Sequence, residues 1–355
     1  MAQLSIDLQA LAANYDILKS KVGAGCEVAC VVKANAYGLG LAAVAKCLQD
    51  KGANSFFVAT LPEAMELRMI VRQEATIAML NGYDDEYAQL YTDNKITPVL
   101  NTIDEINTYK KHANHVSEKL PAIAHIDTGM NRLGVKDNEL KGENFDNLDM
   151  KALMSHFISS EVKDDTINEE QHRIFKEITS QFPNIPKSLC NSSGVFLHDS
   201  YHHQMVRPGM ALYGLNPTPY QDNPMHNVVR VDAKILQIKT VKKGETAGYN
   251  ATHRFDGETT LAIVDIGYAD GFLRNLSNKA SLYHKEIACP IRGNISMDLT
   301  IVDLGKVPDS DMPKAGDMLE VIGSHQTADD LARKAGTIGY EILTSLSRRT
   351  NHRFI

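Results

Sequence analysis

The chain has 355 residues and a formal net charge of −7 at pH 7, with 43% hydrophobic and 23% charged residues. This composition is that of an ordinary globular protein, and the length is sufficient for two domains that each bury a core. The acidic balance excludes a broad basic surface for nucleic acid or an anionic membrane, and no apolar run is long enough to span a bilayer.

Cysteine use and the first residues predict a cytoplasmic location. The five cysteines form no Cys-x-x-Cys pair and are odd in number, so neither a disulfide framework nor a cysteine-rich metal site is expected. The segment that starts Met1-Ala2-Gln3 lacks the basic start and apolar run of a secretory signal.

Residues 1–220 alternate short apolar runs with longer amphipathic stretches, which predicts a parallel sheet with helices between its strands. About eight strand-like runs occur, and eight such units make a (β/α)8 barrel of the TIM type. A doubly wound open sheet is the competing fold, but no Gly-x-Gly-x-x-Gly follows the first run. The predicted helices include Pro62–Val71 and Thr102–His112. The predicted strands are Glu27–Val32, Phe56–Ala59, Thr76–Leu80, Thr97–Leu100, Ala122–Ile126, Lys151–Met154, Ser188–Cys190 and Gln204–Val206.

The pattern changes after Asn216-Pro217-Thr218-Pro219, and residues 221–355 are predicted to form a smaller, mainly β domain. Turn signals such as Lys243-Gly244 separate its strand-like runs. The predicted elements are the strands Val229–Val241, Thr260–Ile266, Glu286–Ile291 and Leu299–Asp303, and the helix Thr327–Lys334.

Polar side chains with catalytic potential follow the predicted barrel strands. Because a barrel gathers the carboxyl ends of its strands at one mouth, these side chains are expected to converge there. Each has an ordinary structural explanation when taken alone, since a lysine at a strand end is usually a solvated surface group. Their joint pattern favours an active site. The residues are Lys33 after the first strand, Asp127 and Arg132 after the fifth, His156 after the sixth, Asn191 and Ser192 after the seventh, and Arg207 after the eighth.

Nine short segments carry a family resemblance. They are residues 31–40 (VVKANAYGLG), 127–134 (DTGMNRLG), 155–157 (SHF), 191–192 (NS), 207–214 (RPGMALYG), 248–249 (GY), 267–271 (GYADG), 296–298 (SMD) and 339–341 (GYE). In order and spacing they resemble the alanine racemase family over essentially the whole chain. One segment would be weak evidence, whereas nine in order are specific.

The resemblance implies pyridoxal 5'-phosphate in the barrel mouth, bound covalently to Lys33. Arg207 would face the ring nitrogen of the cofactor, and His156 would link Arg207 to a catalytic tyrosine. Since arginine only donates hydrogen bonds, the ring nitrogen would stay unprotonated, which would limit side reactions. The other cofactor-binding positions implied by the resemblance are Tyr37, Arg132, Asn191, Ser192, Gly209, Met210 and Tyr340.

The implied activity is the interconversion of L-alanine and D-alanine, which supplies D-alanine for cell-wall peptidoglycan or degrades it. Two bases on opposite faces of the substrate would move the proton, namely Lys33 and, from the other subunit of a homodimer, Tyr249. Tyr268 and Tyr340 would narrow the entrance to a small side chain. The implied substrate-binding residues are Arg132, Tyr268, Met297 and Asp298.

Four positions depart from the family pattern. A lysine that many members carry as a carbamate is His125 here, so this modification is excluded and Arg132 must be held in another way. Leu39 stands where a histidine is common. At the outer entrance, Asn294 replaces an arginine and Glu161 replaces an aspartate.

Three other functions compete with alanine racemisation. A serine or broad-specificity racemase is the closest, and a decarboxylase of the same fold acting on a larger diamino acid is the second. Tyr249 and Tyr340 favour the small substrate. The third, a non-catalytic cofactor-binding protein, would resemble a single barrel, whereas this chain has a whole additional β domain.

Overall fold

The computed structural model describes residues 2–346 and 349–355, whose internal contacts divide them into two compact units. The barrel unit comprises residues 11–36 and 40–226. The β unit comprises residues 2–10, 37–39 and the described part of 227–355. No helix in the described ranges is both long enough and apolar enough to cross a membrane.

The chain begins with strand β1 (Gln3–Ile6) and helix α1 (Leu8–Lys21) and then enters the parallel sheet of the barrel unit. The strands of this sheet are β2 (Glu27–Val28), β3 (Cys30–Val31), β4 (Ser55–Val58), β5 (Thr76–Met79), β6 (Ile96–Leu100), β7 (Leu120–His125), β8 (Leu148–Met154), β9 (Lys187–Ser188) and β10 (Met205–Val206). Neighbouring strands run parallel in the order β2-β10-β9-β8-β7-β6-β5-β4-β3.

Ring closure follows from the first predicted run, which the structure divides at Ala29 into β2 and β3. β2 pairs with β10, the last strand, while β3 pairs with β4. The same stretch of chain therefore joins both ends of the sheet, and the predicted (β/α)8 barrel is confirmed.

Helices follow most of the barrel strands. They are α2 (Lys33–Tyr37, a left-handed turn), α3 (Leu41–Asp50), α4 (Leu61–Arg68), α5 (Ala88–Asp93), α6 (Ile103–Val116) and α7 (Thr166–Thr179). Helix α6 shows how the sequence sets them: the Thr102 hydroxyl accepts a hydrogen bond from the Glu105 N–H at 3.1 Å and caps the first turn. Its buried residues, Ile106, Tyr109 and Ala113, recur at helical spacing and face the barrel. It continues past the predicted end at His112, to Val116.

The β unit is built on the long strand β11 (Val229–Val241), whose bounds are those predicted. Its other elements are β12 (Thr246–Ala247), β13 (His253–Arg254), β14 (Thr259–Val264), β15 (Ser281–His284), β16 (Ile287–Pro290), β17 (Thr300–Asp303), β18 (Met318–Ile322), α8 (Ala328–Ala335), α9 (Gly339–Ser345) and β19 (Asn351–Phe354). The main sheet has the order β16-β15-β18-β11-β1-β19, and β14 lies between β11 and β17. The mainly β character predicted for this part of the chain is confirmed.

Strand β1 belongs to the β unit, although the predicted division at residue 220 assigns residues 1–10 to the barrel domain. It pairs antiparallel with β11, where Leu4 faces Val231, and parallel with β19, where Leu4 faces His352. Leu4 and Ile6 are fully buried in this sheet. An apolar run shows that a strand is buried but not which sheet contains it, so this assignment could not be made from local pattern.

The elements predicted from the sequence for residues 221–355 do not include β15, β18, β19 and α9. Strand β18 is buried at four successive positions and so shows no alternation along its length. Helix α8 ends where Gly336 adopts the left-handed conformation, with φ of 74°, and α9 begins only three residues later. Because the gap is so short, the sequence pattern does not distinguish α9 from a continuation of α8.

Candidate active site

Lys33 lies two residues after the end of β3, at the carboxyl edge of the barrel sheet, and is half-buried. Burial lowers the pKa of its amine, and the guanidinium of Arg132 lowers it further, against a smaller opposite effect of the Glu63 carboxylate. A lower pKa increases the fraction of neutral amine, which is the form that attacks a carbonyl or accepts a proton. The position therefore suits covalent chemistry.

The turn after Lys33 is left-handed over four residues that all carry a Cβ. Residues 34–37 have φ values of 54°, 55°, 53° and 57°. This conformation costs roughly 1–2 kcal/mol for each such residue, so the turn needs support from its surroundings. Asn35 gives part of it, because its side-chain oxygen accepts a hydrogen bond from the Leu41 N–H at 2.8 Å.

Glu63 gives further support from the start of α4. One of its carboxylate oxygens accepts a hydrogen bond from the Ala34 N–H at 2.7 Å, and the other accepts from Ala59 at 2.8 Å and from Thr60 at 3.3 Å. The carboxylate thus ties the first turn of α4 to the turn that follows the lysine. Glu63 is not among the site residues predicted from the sequence. Its sequence signal is the capping-box pattern Thr-x-x-Glu with a proline inside it, which indicates the start of a helix.

Arg207 follows β10 and is only 4% exposed. Its Nη1 donates to the Ser188 hydroxyl at 2.5 Å, and its Nη2 donates to the Ser155 carbonyl at 2.5 Å and lies 3.4 Å from Nδ1 of His156. Burial lowers the pKa of Arg207 to about 10, so the guanidinium is still protonated at neutral pH. Both terminal nitrogens are engaged inside the barrel, whereas Nε has no hydrogen-bond partner in residues 2–346 and 349–355.

His125 ends β7 and is buried against Asn101, which follows β6. The Asn101 amide nitrogen donates to the carbonyls of Leu80 at 3.1 Å and Val99 at 2.9 Å, so its oxygen faces Nδ1 of His125, at 2.9 Å. Nδ1 therefore carries the proton, and Nε2 keeps a free lone pair. Burial, reinforced by two nearby guanidinium groups, lowers the pKa of His125 to about 4, so the ring is neutral at neutral pH.

Five basic side chains, here called the basic cluster, lie together at the barrel mouth, where four of them are within electrostatic range of the fifth, His156. They are Lys33, His125, Arg132, His156 and Arg207. Burial lowers the pKa of His156 well below its usual range, and the other four members lower it further. Glu63 and Asp127 are the carboxylates that act against this repulsion. Such a cluster favours a ligand that carries several negative charges.

Ser192 organises the backbone beside the cluster. Its hydroxyl oxygen accepts hydrogen bonds from the N–H groups of Gly209 at 2.9 Å and Ala211 at 3.2 Å. The hydroxyl still has its own proton to donate. The side-chain oxygen of Asn191 accepts from the Ser160 hydroxyl at 2.8 Å and so holds this loop in place.

The loop that carries Arg132 is fixed at both of its ends. One Asp127 carboxylate oxygen accepts hydrogen bonds from the N–H groups of Gly129 at 3.0 Å and Asn131 at 3.1 Å. Gly134 has a φ of 122°, and a Cβ at that position would lie 2.6 Å from the Asp127 nitrogen. Glycine is therefore needed for the chain to return this close to its own start.

Tyr37 and Tyr340 lie together in the β unit, with ring centroids 5.9 Å apart. Burial raises the pKa of the Tyr37 phenol to about 12, so it stays protonated and able to donate a hydrogen bond. Gly38 allows the close approach of this segment to α9, because a Cβ there would lie 2.6 Å from the Leu343 carbonyl oxygen. The two tyrosines that the resemblance assigns to one phosphate are thus neighbours.

Three residues predicted on the substrate side are exposed on the β unit, namely Tyr249 (70%), Tyr268 (43%) and Met297 (53%). The Asn294 amide donates to the Tyr249 carbonyl at 3.0 Å and fixes the backbone there. The Asp298 carboxylate forms an ion pair with Arg349 at 2.8 Å.

The predicted site residues thus fall into two sets. The barrel unit contains Lys33, Arg132, His156, Asn191, Ser192, Arg207, Gly209 and Met210. The β unit contains Tyr37, Tyr249, Tyr268, Met297, Asp298 and Tyr340. In the part of the chain that the structure describes, no group of three or more His, Cys, Asp or Glu residues could hold a metal ion.

A barrel with a half-buried lysine of lowered pKa and a basic cluster at its mouth is typical of an α/β-barrel enzyme that binds an anionic group. The models of the alanine racemase N-terminal and C-terminal domains match residues 6–217 and 228–354. The chain belongs to the alanine racemase family.

Individual relatives match over the whole length. An alanine racemase of Methylobacterium nodulans is 44% identical, over 100% of this chain and 96% of the relative. A catabolic alanine racemase of Mesorhizobium japonicum is 40% identical, over 100% of this chain and 93% of the relative. The crystal structure of alanine racemase from Bartonella henselae with covalently bound pyridoxal phosphate has a TM-score of 0.96 at 36% identity, and the match covers 100% of this chain and 99% of that one.

The loop with Arg132 offers a matched pair of glycine variants. Gly129 and Gly134 share a φ of 122°, but a Cβ at Gly129 would meet nothing closer than the Ile158 side chain at 3.8 Å. We expect Gly134→Ala to destabilise the protein by about 3 kcal/mol or more, because backbone strain and a backbone clash add up, and Gly129→Ala by only about 1–2 kcal/mol. Urea unfolding measures both, and equal losses would show that the close approach of Gly134 does not constrain the loop.

Proposed function

We propose that the chain interconverts L-alanine and D-alanine with pyridoxal 5'-phosphate bound covalently to Lys33. The observation that carries the proposal is the lowered pKa of this lysine beside Arg132 at the barrel mouth, in a chain that matches the alanine racemase family from end to end. The related structure from Bartonella henselae holds pyridoxal phosphate covalently, which supports the same attachment here.

The donor groups at the mouth fit this cofactor. Pyridoxal phosphate carries a phosphate and a phenolic oxygen, and the basic cluster has the complementary charge. The hydroxyl of Ser192 would donate its proton to a phosphate oxygen, and the phenol of Tyr37, which is protonated, and the neighbouring Tyr340 would be further phosphate ligands. The backbone at Gly209 and Met210 would complete the phosphate site, with glycine permitting close approach.

When bound, the cofactor withdraws electrons and so makes the Cα hydrogen of an amino acid acidic. Arg207 sets how strongly it does so. Its terminal nitrogens each bond to the barrel, and Nε–H, which has no partner among the described residues, would be a donor to the ring nitrogen. Because Arg207 is protonated at neutral pH, it donates a hydrogen bond and accepts none. The ring nitrogen then receives no proton, which keeps the electron withdrawal moderate and disfavours side reactions.

Two bases must act on opposite faces of Cα. Lys33 is one, because its lowered pKa lets Nζ accept a proton from D-alanine and return it. The phenolic oxygen of Tyr249 is the other and acts on L-alanine. His156, 3.4 Å from Arg207, would link that guanidinium to the tyrosine.

We infer a homodimer in which Tyr249 of one subunit completes the site that contains Lys33 of the other. The exposure of Tyr249, Tyr268 and Met297 in the single chain supports this arrangement, since a partner surface would cover them. A two-fold dimer forms two such shared sites with one interface.

The substrate pocket would be small. Tyr268 and Tyr340 would narrow its entrance and so favour alanine over serine and larger amino acids. Arg132 and the backbone of Met297, with Asp298 beside it, would bind the substrate carboxylate. The reaction runs in both directions, so the same site serves D-alanine synthesis for peptidoglycan or D-alanine degradation. We place the enzyme in the cytoplasm and its domain division near residue 220.

The first test concerns Lys33. The purified holoenzyme should convert L-alanine to D-alanine, and Lys33→Ala should lower the rate by about a thousandfold or more, because one base and the cofactor link are lost together. Borohydride reduction and peptide mass analysis should find the cofactor on Lys33. Lys46→Ala, which removes an exposed lysine paired with Asp50, serves as the control and should leave the rate unchanged. An adduct on another lysine would contradict the proposal.

The second test concerns His125. Because imidazole cannot form a lysine carbamate, bicarbonate should change the rate by less than about twofold, and the peptide spanning Ala122–Arg132 should carry no added mass. His125→Leu should lower the rate by about tenfold or more, because it removes the free lone pair of Nε2. His125→Gln, which again places a hydrogen-bond acceptor at this position, should have a smaller effect on the rate. Strong activation of the wild type by bicarbonate would show that another group is modified.

The third test concerns the shared site. Homodimers of Lys33→Ala and of Tyr249→Phe should both be nearly inactive, because each lacks one base in every site. Mixing them under conditions of subunit exchange should restore activity, since one site in each heterodimer then has both bases. If tagged subunits exchange and the rate stays at the level of the parents, both bases come from one chain.

A further inference from the structure

Three residues that we propose on the substrate side lie in short segments of the β unit. Tyr268 lies in residues 267–271, here called the Tyr268 loop, and Met297 lies in residues 296–298, here called the Met297 loop. Tyr340 lies in helix α9. Side chains on such short segments keep their positions only through the contacts that the segments make, so these contacts decide the shape of the substrate side.

The two loops are joined through their backbones. The Tyr268 N–H donates to the Ser296 carbonyl at 3.1 Å. The Ala269 N–H donates to the Met297 carbonyl at 2.9 Å. Gly267 permits these contacts, because a Cβ at that position would clash with the Met297 carbonyl. The positions of the two loops therefore depend on each other.

The carboxyl end of α9 packs against the Tyr268 loop. Gly271 has a φ of 90°, and a Cβ at this position would clash with the Ser345 carbonyl, so the contact needs glycine. Ser345 is the last residue of α9, the helix that contains Tyr340. The helix and the two loops therefore form one packed assembly within the β unit.

The guanidinium of Arg349 connects the side chains of the two loops. Its Nη2 donates to Oδ1 of Asp298 at 2.8 Å, and its Nε lies 3.3 Å from Oδ1 of Asp270. Asp270 is buried, and its other carboxylate oxygen accepts a hydrogen bond from the Gly267 N–H at 2.9 Å. One cation thus pairs with a carboxylate from each loop, which the planar fork of an arginine allows.

Arg349 also supplies positive charge to an acidic part of the β unit. The hydrogen bond to Asp298 and the charges of Asp270 and Asp265 raise the pKa of Arg349, so three carboxylates lie within its electrostatic range. Asp298 is adjacent to Met297, whose backbone we propose as a ligand of the substrate carboxylate. If Arg349 were neutral, the charge of Asp298 would lose this compensation and would repel the substrate carboxylate.

We propose that Arg349 is a positioning residue for substrate binding, which fixes the Tyr268 loop against the Met297 loop and neutralises Asp298 beside the substrate carboxylate. This inference rests on the proposed racemase function and adds to it a residue that does not touch the reacting atoms. Because Arg349 acts on binding and not on proton transfer, its loss should raise KM more than it lowers kcat.

Steady-state racemisation of L-alanine by the holoenzyme tests the effect of the charge. Arg349→Gln should raise KM by about tenfold or more and lower kcat by less than about threefold. Arg349→Lys keeps the charge without the fork and should raise KM less. Combining Arg349→Gln with Asp298→Asn removes the uncompensated carboxylate, so KM should fall again by at least about threefold. Arg353→Gln, which removes an exposed arginine of β19, is the control and should leave KM unchanged.

Amide hydrogen exchange of the same holoenzymes measures the two loops without turnover. The N–H groups of Tyr268 and Ala269 bond to the Met297 loop, so they are protected only while the loops stay together. Peptides that contain them should exchange at least about fivefold faster in Arg349→Gln than in the wild type. Peptides from β11 should exchange at the wild-type rate, which shows that the variant is folded. If Arg349→Gln does not fold, Arg349→Lys is used for the same comparison.

The outcomes separate this inference from the proposed function. If the wild type racemises alanine and Arg349→Gln has the same KM and exchange rates, the role of Arg349 is overturned and the proposed function stands. The role is equally overturned if kcat falls while KM does not change, or if Asp298→Asn recovers none of the lost KM. If the wild type does not racemise alanine, the proposed function fails, and the exchange rates alone decide whether Arg349 holds the two loops together.

Discussion

The carboxylate of Glu63 holds the reactive part of the barrel in a conformation that the chain would not adopt alone. Its hydrogen bond to the Ala34 N–H, at 2.7 Å, joins the start of α4 to four successive left-handed residues. Those residues turn the chain sharply away from β3, so Lys33 stands at the sheet edge with its amine within electrostatic range of Arg132 and Glu63. Strain of several kcal/mol at such a place is tolerated because neighbouring elements over-determine it. The strain is thus part of how the lysine is positioned.

The same crowding of basic groups explains both binding and reactivity at the mouth. Burial, reinforced by repulsion from neighbouring basic groups, lowers the pKa of Lys33 and of His156, which increases the fraction of neutral amine at Lys33 and keeps the imidazole of His156 neutral. A polyanionic cofactor relieves this repulsion when it binds, so the energy stored in the cluster becomes binding energy. In the mechanism we propose, one arrangement would therefore attract the phosphate and prepare Lys33 to react and to carry a proton.

Much of this could be predicted from the sequence, because barrel strands are short apolar runs and reactive residues follow their ends. What could not be predicted depends on pairing between distant segments. The pairing of β1 with β11 and β19 moves the first residues into the β unit, and no local pattern contains that information. Likewise His125 stood out as an exception to the family pattern, but its partner Asn101 is 24 residues away on the neighbouring strand. Glu63 had a sequence signal, which indicated only a helix start.

The histidine at 125 also changes the charge balance of the mouth. A carbamate at this position would bring a negative charge close to Arg132, whereas an imidazole with a pKa of about 4 brings none at neutral pH. The mouth then has less negative charge of its own, so an anionic ligand would gain more on binding. The amide nitrogen of Asn101 donates to two backbone carbonyls, so its oxygen faces Nδ1 of His125 and fixes the tautomer of that ring. The orientation of the His125 ring is therefore set without a covalent modification. In the site we propose, the cofactor phosphate and the substrate carboxylate would add the negative charge that a carbamate would otherwise contribute, beside that of Glu63 and Asp127.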